Sequence, residues 1–107
     1  MQVHSYTTSG GKDLILNYLD SLPDKESAEG YHLISLLEKE GIAAFDLLET
    51  RQIEGKLWEI KFYRHNRIFY VLMDADNIYL LHACKKQKGK AEKFEIDKAK
   101  ARAKEIL

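Results

Sequence analysis

Up to Glu40 the apolar positions recur mostly at helical spacing, and beyond Arg51 they recur every second residue. The chain opens with Val3, Tyr6 and two threonines in weak alternation, which predicts a strand over Gln2–Thr8. Ser9-Gly10-Gly11 breaks it. Leu14, Ile15, Tyr18, Leu19 and Leu22 then share one side of an amphipathic helix over Lys12–Ser21. Pro23 ends that helix, because its ring cannot continue the hydrogen-bond ladder. Asp24 has the side chain of an N-cap for a second helix, Lys25–Glu40, whose apolar side is Ala28, Tyr31, Leu33, Ile34, Leu36 and Leu37. Gly41 is its natural stop. The short turn between the helices predicts an antiparallel helical hairpin. Ile42–Glu49 fits either a short helical turn or an extended link.

Past Arg51 the pattern is that of strands. Trp58, Ile60 and Phe62 fall on one face, and Glu59, Lys61 and Tyr63 on the other. Arg64-His65-Asn66 reads as a polar turn. Ile68–Met73 is apolar on both faces, which suits a central strand. Asp74-Ala75-Asp76-Asn77 is a second turn, and Ile78–Cys84 the next strand. Lys85–Lys90 is a basic, glycine-containing loop. Glu92–Ile106 is a last helix with Ile96, Ala99, Ala103 and Ile106 on one stripe. The expected fold is one α+β domain over residues 1–107, in the order β-α-α-β-β-β-α. An antiparallel sheet packs against the helical hairpin, with a C-terminal helix following.

Composition narrows the class. A chain of 107 residues with 45% hydrophobic and 32% charged residues buries a core without staples. Cys84 is the single cysteine, so no intramolecular disulfide forms, as in a reducing cytoplasm. Met1–Lys12 lacks a signal-type apolar run, and Ile68–Met73 is too short to span a bilayer. The expected location is cytoplasmic, with no membrane partner.

Charge changes the picture more. The net charge is zero, yet residues 1–50 carry −6 and residues 51–107 carry +6. Such asymmetry points to an anionic partner on the second half, RNA above all; the alternative is that folding interleaves the charges. The cations concentrate on the strands and turns: Lys61, then Arg64 and His65, then Arg67, then Lys85, Lys86, Lys88 and Lys90. The turns of a meander can bring these together. Lysine and arginine neutralise phosphates, and an exposed Tyr63 offers a stacking face to a base.

The same set suits metal-independent phosphodiester cleavage. The ribose 2′-hydroxyl attacks its own phosphate, cations stabilise the added charge, and an acid protonates the leaving oxygen. His82 titrates near neutrality when unperturbed. A lysine among cations acquires a lowered pKa and can act as base. Each residue has a plainer reading: His82 as a hydrogen-bonded core residue, Lys61 as edge protection, Lys85–Lys90 as a solvated connection. No histidine is matched with a carboxylate or cysteine at metal-ligand spacing, and no phosphate-binding glycine loop follows a strand. No cofactor and no metal are expected.

Four segments carry a resemblance: Gly55-Lys56-Leu57-Trp58-Glu59-Ile60-Lys61, Asn66-Arg67-Ile68-Phe69-Tyr70-Val71, Leu80-Leu81-His82-Ala83-Cys84-Lys85-Lys86, and Glu95-Ile96-Asp97-Lys98-Ala99. In order and spacing they are similar to the phage-derived, HigB-type branch of the RelE/ParE toxin superfamily. The resemblance implies a RelE-like fold and the toxin of a type II toxin–antitoxin system. Such a toxin is a ribosome-dependent endoribonuclease, an mRNA interferase that inhibits translation without a metal. Implied partners are a cognate HigA-like helix-turn-helix antitoxin, the ribosome and mRNA, with operator DNA reached only through the antitoxin. The implied catalytic positions are Lys61, Arg67 and Lys86, to which the chemistry above adds His82. Tyr63, Arg64, His65, Lys85, Lys88 and Lys90 are the expected RNA-binding residues. Lys61 stands where that family usually has arginine, Cys84 where it has phenylalanine, and Gly89–Glu92 lacks its usual Thr-Pro. A non-catalytic RNA- or protein-binding module of the same fold, and a toxin-like subunit acting only with its antitoxin, are the alternatives. The acidic helices are expected to face away from RNA, with Tyr18, Tyr31 and Phe45 as antitoxin-docking positions.

Overall fold

Asp13 starts the first helix, α1 (Leu14–Asp20): its carboxylate accepts the Ile15 and Leu16 amides at 3.0 and 2.9 Å. In this computed structural model, which describes residues 1–107, α2 (Asp24–Glu40) follows directly after Pro23. Asp24 is therefore in the first turn rather than at the cap, where its charge and that of Glu26 suit the helix N-terminus. Gly41, with φ +60°, ends α2, and a 3-10 helix over Gly41–Asp46 takes the ambiguous stretch.

The sheet departs from expectation in two ways. It has five strands, β1 (Gln2–Ser5), β2 (Glu49–Glu54), β3 (Leu57–Phe62), β4 (Asn66–Asp74) and β5 (Asn77–Lys85), in the order β1-β5-β4-β3-β2. It is mixed rather than antiparallel, because β1 runs parallel to β5. A four-residue strand carries no directional signal; the crossing of the hairpin decides its partner. The extra strand β2 pairs antiparallel with β3, and a register shift between Gln52 and Glu54 spoils the two-residue period that would announce it. α3 spans Lys90–Ile106.

Both faces of the sheet are covered. Ile15, Leu19, Leu33 and Leu37 of the hairpin pack on Ile60, Phe62, Ile68, Tyr70, Ile78 and Leu80. On the opposite face Ala99 and Ala103 of α3 pack on Leu57, Phe69, Val71 and Leu81. This double cover explains why β4 is apolar on both sides. The alanines of α3 let it lie close to the sheet, at the cost of a thin apolar layer.

One bulge sets the chemistry of the α3 face. Phe69 pairs with His82 while Tyr70 pairs with Leu80, so Leu81 is an extra residue in β5. Before it, alternation sends Ile78 and Leu80 to the hairpin. After it the parity flips: Leu81, His82 and Cys84 lie on the α3 side, and Lys85 returns to the hairpin side. Simple alternation of Ile78, Leu80, His82 and Cys84 would have put all four on one face.

Gly30 is buried where α2 crosses α1 and β3; a Cβ there would lie 2.5 Å from Leu19 Cδ2 and 3.1 Å from the Phe62 ring. Gly30→Val is expected to destabilise the fold by about 1–3 kcal/mol through overpacking, read as a lowered urea midpoint with an unchanged slope. An unaltered midpoint would show that the α1–α2 crossing is looser than these distances require.

Candidate functional site

At one end of the sheet two loops are joined into a single surface. The Lys86 amide donates to the His65 carbonyl at 2.6 Å, which ties the β3–β4 turn to the Lys85–Lys90 loop. Tyr63, Arg64, His65, Lys85, Lys86, Lys88 and Lys90 are all exposed there. Tyr63 and Arg64 sit at φ +44° and +65°, a left-handed pair built without glycine. Such a conformation costs on the order of 1 kcal/mol or more per residue, and here it closes the β3–β4 hairpin. The expected RNA-binding residues therefore share one edge.

That edge is anchored from below. Tyr18 Oη donates to Asn66 Oδ1 at 2.5 Å; Asn66 Nδ2 donates to Glu26 Oε1 at 2.9 Å; Lys85 Nζ donates to the same oxygen at 2.8 Å. The Lys85 hydrogen bond, helped by Asn66, holds the Glu26 carboxyl below its ordinary value. Burial pushes the Tyr18 phenol up. Glu26 thus faces the basic edge, contrary to the expectation that every acid of the hairpin points away. Tyr18 is part of this anchor and Phe45 stacks on Tyr70, so of the three expected docking aromatics only Tyr31 is exposed.

The four expected catalytic residues separate by depth. Lys86 is exposed, and Lys61 is partly exposed, lining a cleft of about 680 Å³ with Tyr63, Arg64 and Leu47, 4.0 Å from Glu49. Arg67 is 1% exposed. Its guanidinium pairs with the fully buried Glu59 and, at 3.3 Å, with Glu92 of α3; Arg51 of β2 binds the other Glu59 oxygen at 2.9 Å. Arg67 is a buried, paired cation rather than a free one at the surface.

His82 is likewise enclosed, with both ring nitrogens occupied. Nε2 lies 2.5 Å from Glu95 Oε2, and Nδ1 lies 3.1 Å from Nη1 of Arg102, which also donates to the Leu81 carbonyl at 2.9 Å. Burial lowers the His82 pKa, partly offset by Glu95. Burial opposes ionisation of Glu95, but hydrogen bonds from Cys84 and His82 bring its pKa below the ordinary value. Near neutrality a neutral imidazole therefore donates from Nε2 to an ionised Glu95 and accepts at Nδ1 from Arg102. Arg102 also supplies a partner to the carbonyl of the bulge residue Leu81.

The fold brings His82, Cys84 and Glu95 together, with donor atoms within 4.8 Å of one another, although their spacing in the chain does not announce it. A thiolate, an imidazole and a carboxylate are borderline-soft ligands of the kind zinc takes. Here, however, Glu95 accepts from both neighbours, burial pushes the Cys84 thiol up, and the guanidinium on Nδ1 holds the tautomer that blocks Nε2. The trio is a satisfied hydrogen-bond cluster.

Residue patterns could have exposed part of this. Glu92 and Glu95 fall on the same stripe of α3 as Ile96 and Ala99, and acids on a buried stripe call for buried cations or donors. Glu26 and Asn66 gave no such sign.

A family model described as "Phage derived protein Gp49-like (DUF891)" matches residues 17–104. None of the curated proteins matches the chain.

Two measurements probe the buried groups. Arg67→Met leaves Glu59 charged and without its main partner, and is expected to cost about 3–5 kcal/mol in chemical denaturation; Glu59→Leu combined with Arg67→Met should recover most of that loss. Because the His82 pKa is lower folded than unfolded, its contribution to stability is complete above the ordinary value near 6.5 and is lost as the pH falls from there toward the folded pKa. His82→Gln should flatten that limb of the stability–pH curve; an unchanged limb would place the titration elsewhere.

Proposed function

Starting from a chain that belongs to the phage-derived Gp49-like family, a toxin-like family of the toxin–antitoxin type, we propose that this protein is a HigB-type toxin that cleaves mRNA on the ribosome. One observation carries the reading to RNA: the hydrogen bond from Lys86 to His65 merges the strained Tyr63-Arg64 tip and the lysine loop into one exposed cationic edge. The α+β layout, with a hairpin on one sheet face and a last helix on the other, supports a RelE-like assignment.

The chemistry needs only what the RNA and this edge supply. The 2′-hydroxyl attacks the adjacent phosphorus, its proton leaves to a base, and the 5′-oxygen departs with a proton, giving a 2′,3′-cyclic phosphate. Arg64, Lys86 and Lys61 stabilise the added phosphoryl charge, and Tyr63 stacks on a flanking base. His65 is an exposed imidazole at the tip, within the same edge. Arg67 and His82 serve as positioning residues: they fix β4 and β5, from which the turn and loop project. The helix-turn-helix antitoxin, the ribosome and mRNA remain the proposed partners. The second reading, a toxin-like subunit that only binds its antitoxin, draws on the burial of Arg67 and His82.

Induced expression in bacteria, with primer extension on mRNA, tests the first reading. Wild type should arrest growth and give ribosome-dependent 5′ ends. Arg64→Ala with Lys86→Ala should accumulate folded and abolish both, and Lys61→Ala should weaken them roughly 10-fold or more, the scale of a lost charge-stabilising group. Folded wild-type protein that leaves growth and mRNA intact would remove the enzyme reading and leave the antitoxin-binding one.

A further inference from the structure

The basic loop does not end at Gly89. Lys90, Phe94 and Lys98 follow at intervals of four residues, so they form one stripe along α3. Phe94 is 59% exposed, and the Lys98 ammonium lies 4.7 Å from its ring centroid. The acids of the same turns are withdrawn: Glu92 reaches Arg67 and Arg51, and Glu95 reaches His82. Asp97, which stays outside, is matched by Lys93 at 2.8 Å. What faces water is an exposed aromatic ring between the exposed Lys90 and the partly exposed Lys98, following directly in the chain on Lys86 and Lys88.

We propose that Lys90, Phe94 and Lys98 form a single-stranded nucleic-acid subsite, in which an unpaired base stacks on Phe94 and the two lysines take flanking phosphates. The proposal rests on the RNA-directed reading above and extends the surface from Lys90, already expected to bind RNA, along α3 to Phe94 and Lys98, which were not. Aromatic rings interleaved with cations are what sequence-tolerant single-strand binding requires. A protein partner fits less well. Seating the ring in an apolar pocket would strip water from the ammonium above it, while the neighbouring acids Asp97 and Glu95 are already bonded to Lys93 and His82.

The test uses the full chain and fluorescently labelled RNA of mixed sequence, single-stranded or as a duplex, followed by anisotropy at fixed salt. Phe94→Ala should weaken single-strand binding about 5- to 150-fold, the loss of one stacked base. Duplex binding and thermal stability should hardly change, and Phe94→Tyr should restore the affinity. Lys90→Ala with Lys98→Ala should lower the slope of log affinity against log salt by about 1.4, roughly 0.7 per phosphate contact. Phe94→Ala binding as tightly as wild type, while Arg64→Ala with Lys86→Ala binds poorly, would overturn the subsite and spare the RNA reading. Wild type that binds no RNA would overturn both. Unchanged RNA affinity with weakened hold on a co-expressed antitoxin would assign the ring to a protein interface and also overturn it.

Discussion

The pairing of Glu59 with Arg67 under the sheet constrains nearly everything around it. Both groups are out of water, and a charge left alone there would cost several kcal/mol. Each must therefore keep its partner, and the partners come from three directions: Arg51 from β2, Arg67 from β4, and Glu92 from the first turns of α3. One cluster of charges thereby holds an edge strand, two inner strands and the last helix in a common geometry. It also offsets the weakness of the apolar layer on that side, where alanines rather than leucines meet the sheet. The start of α3, and with it the direction in which the lysine loop leaves β5, follows from where Glu92 has to be.

Much of the architecture was legible because it rests on local rules. The hairpin helices, the α3 stripe and the central strand follow from periodicity, and Pro23 and Gly41 fall at helix boundaries by their backbone chemistry. The misses share a cause. The extra strand over Glu49–Glu54, the parallel placement of β1 and the parity flip in β5 all depend on a partner strand or a one-residue irregularity. For the site, residue type suggested which groups could do chemistry, but not their depth. Arg67 and His82 read as free groups in the chain but lie buried and paired in the fold, because acids from α3 reach across to meet them.

That depth sorting turns a neutral protein into one with a cationic edge. The acids of the second half are not evenly dispersed: Glu59, Glu92 and Glu95 are drawn inward, while Lys86, Lys88, Lys90 and Arg64 stay in water. The halves are not wholly separate either, since Glu26 reaches Lys85 and Glu49 approaches Lys61. These two contacts temper the field where the hairpin meets the basic edge and leave it strongest at the tip and along the loop. The expected charge asymmetry is therefore expressed through burial more than through the division of the chain into halves.

The bulge at Leu81 has a consequence for how the gene can change. Elsewhere in the sheet, exchanging one residue for another alters one contact. In β5, losing the codon for Leu81 would remove the bulge and restore strict alternation, while the rest of the strand kept its faces and its partners on β4. Cys84 would stay on the α3 side and Lys85 beside Glu26, and Arg102 would lose only the carbonyl it now holds. It is the full-length strand paired without its bulge that would be inverted, with His82 and Cys84 turned toward the hairpin, so this point of the sheet tolerates the loss of a residue better than the loss of its irregularity.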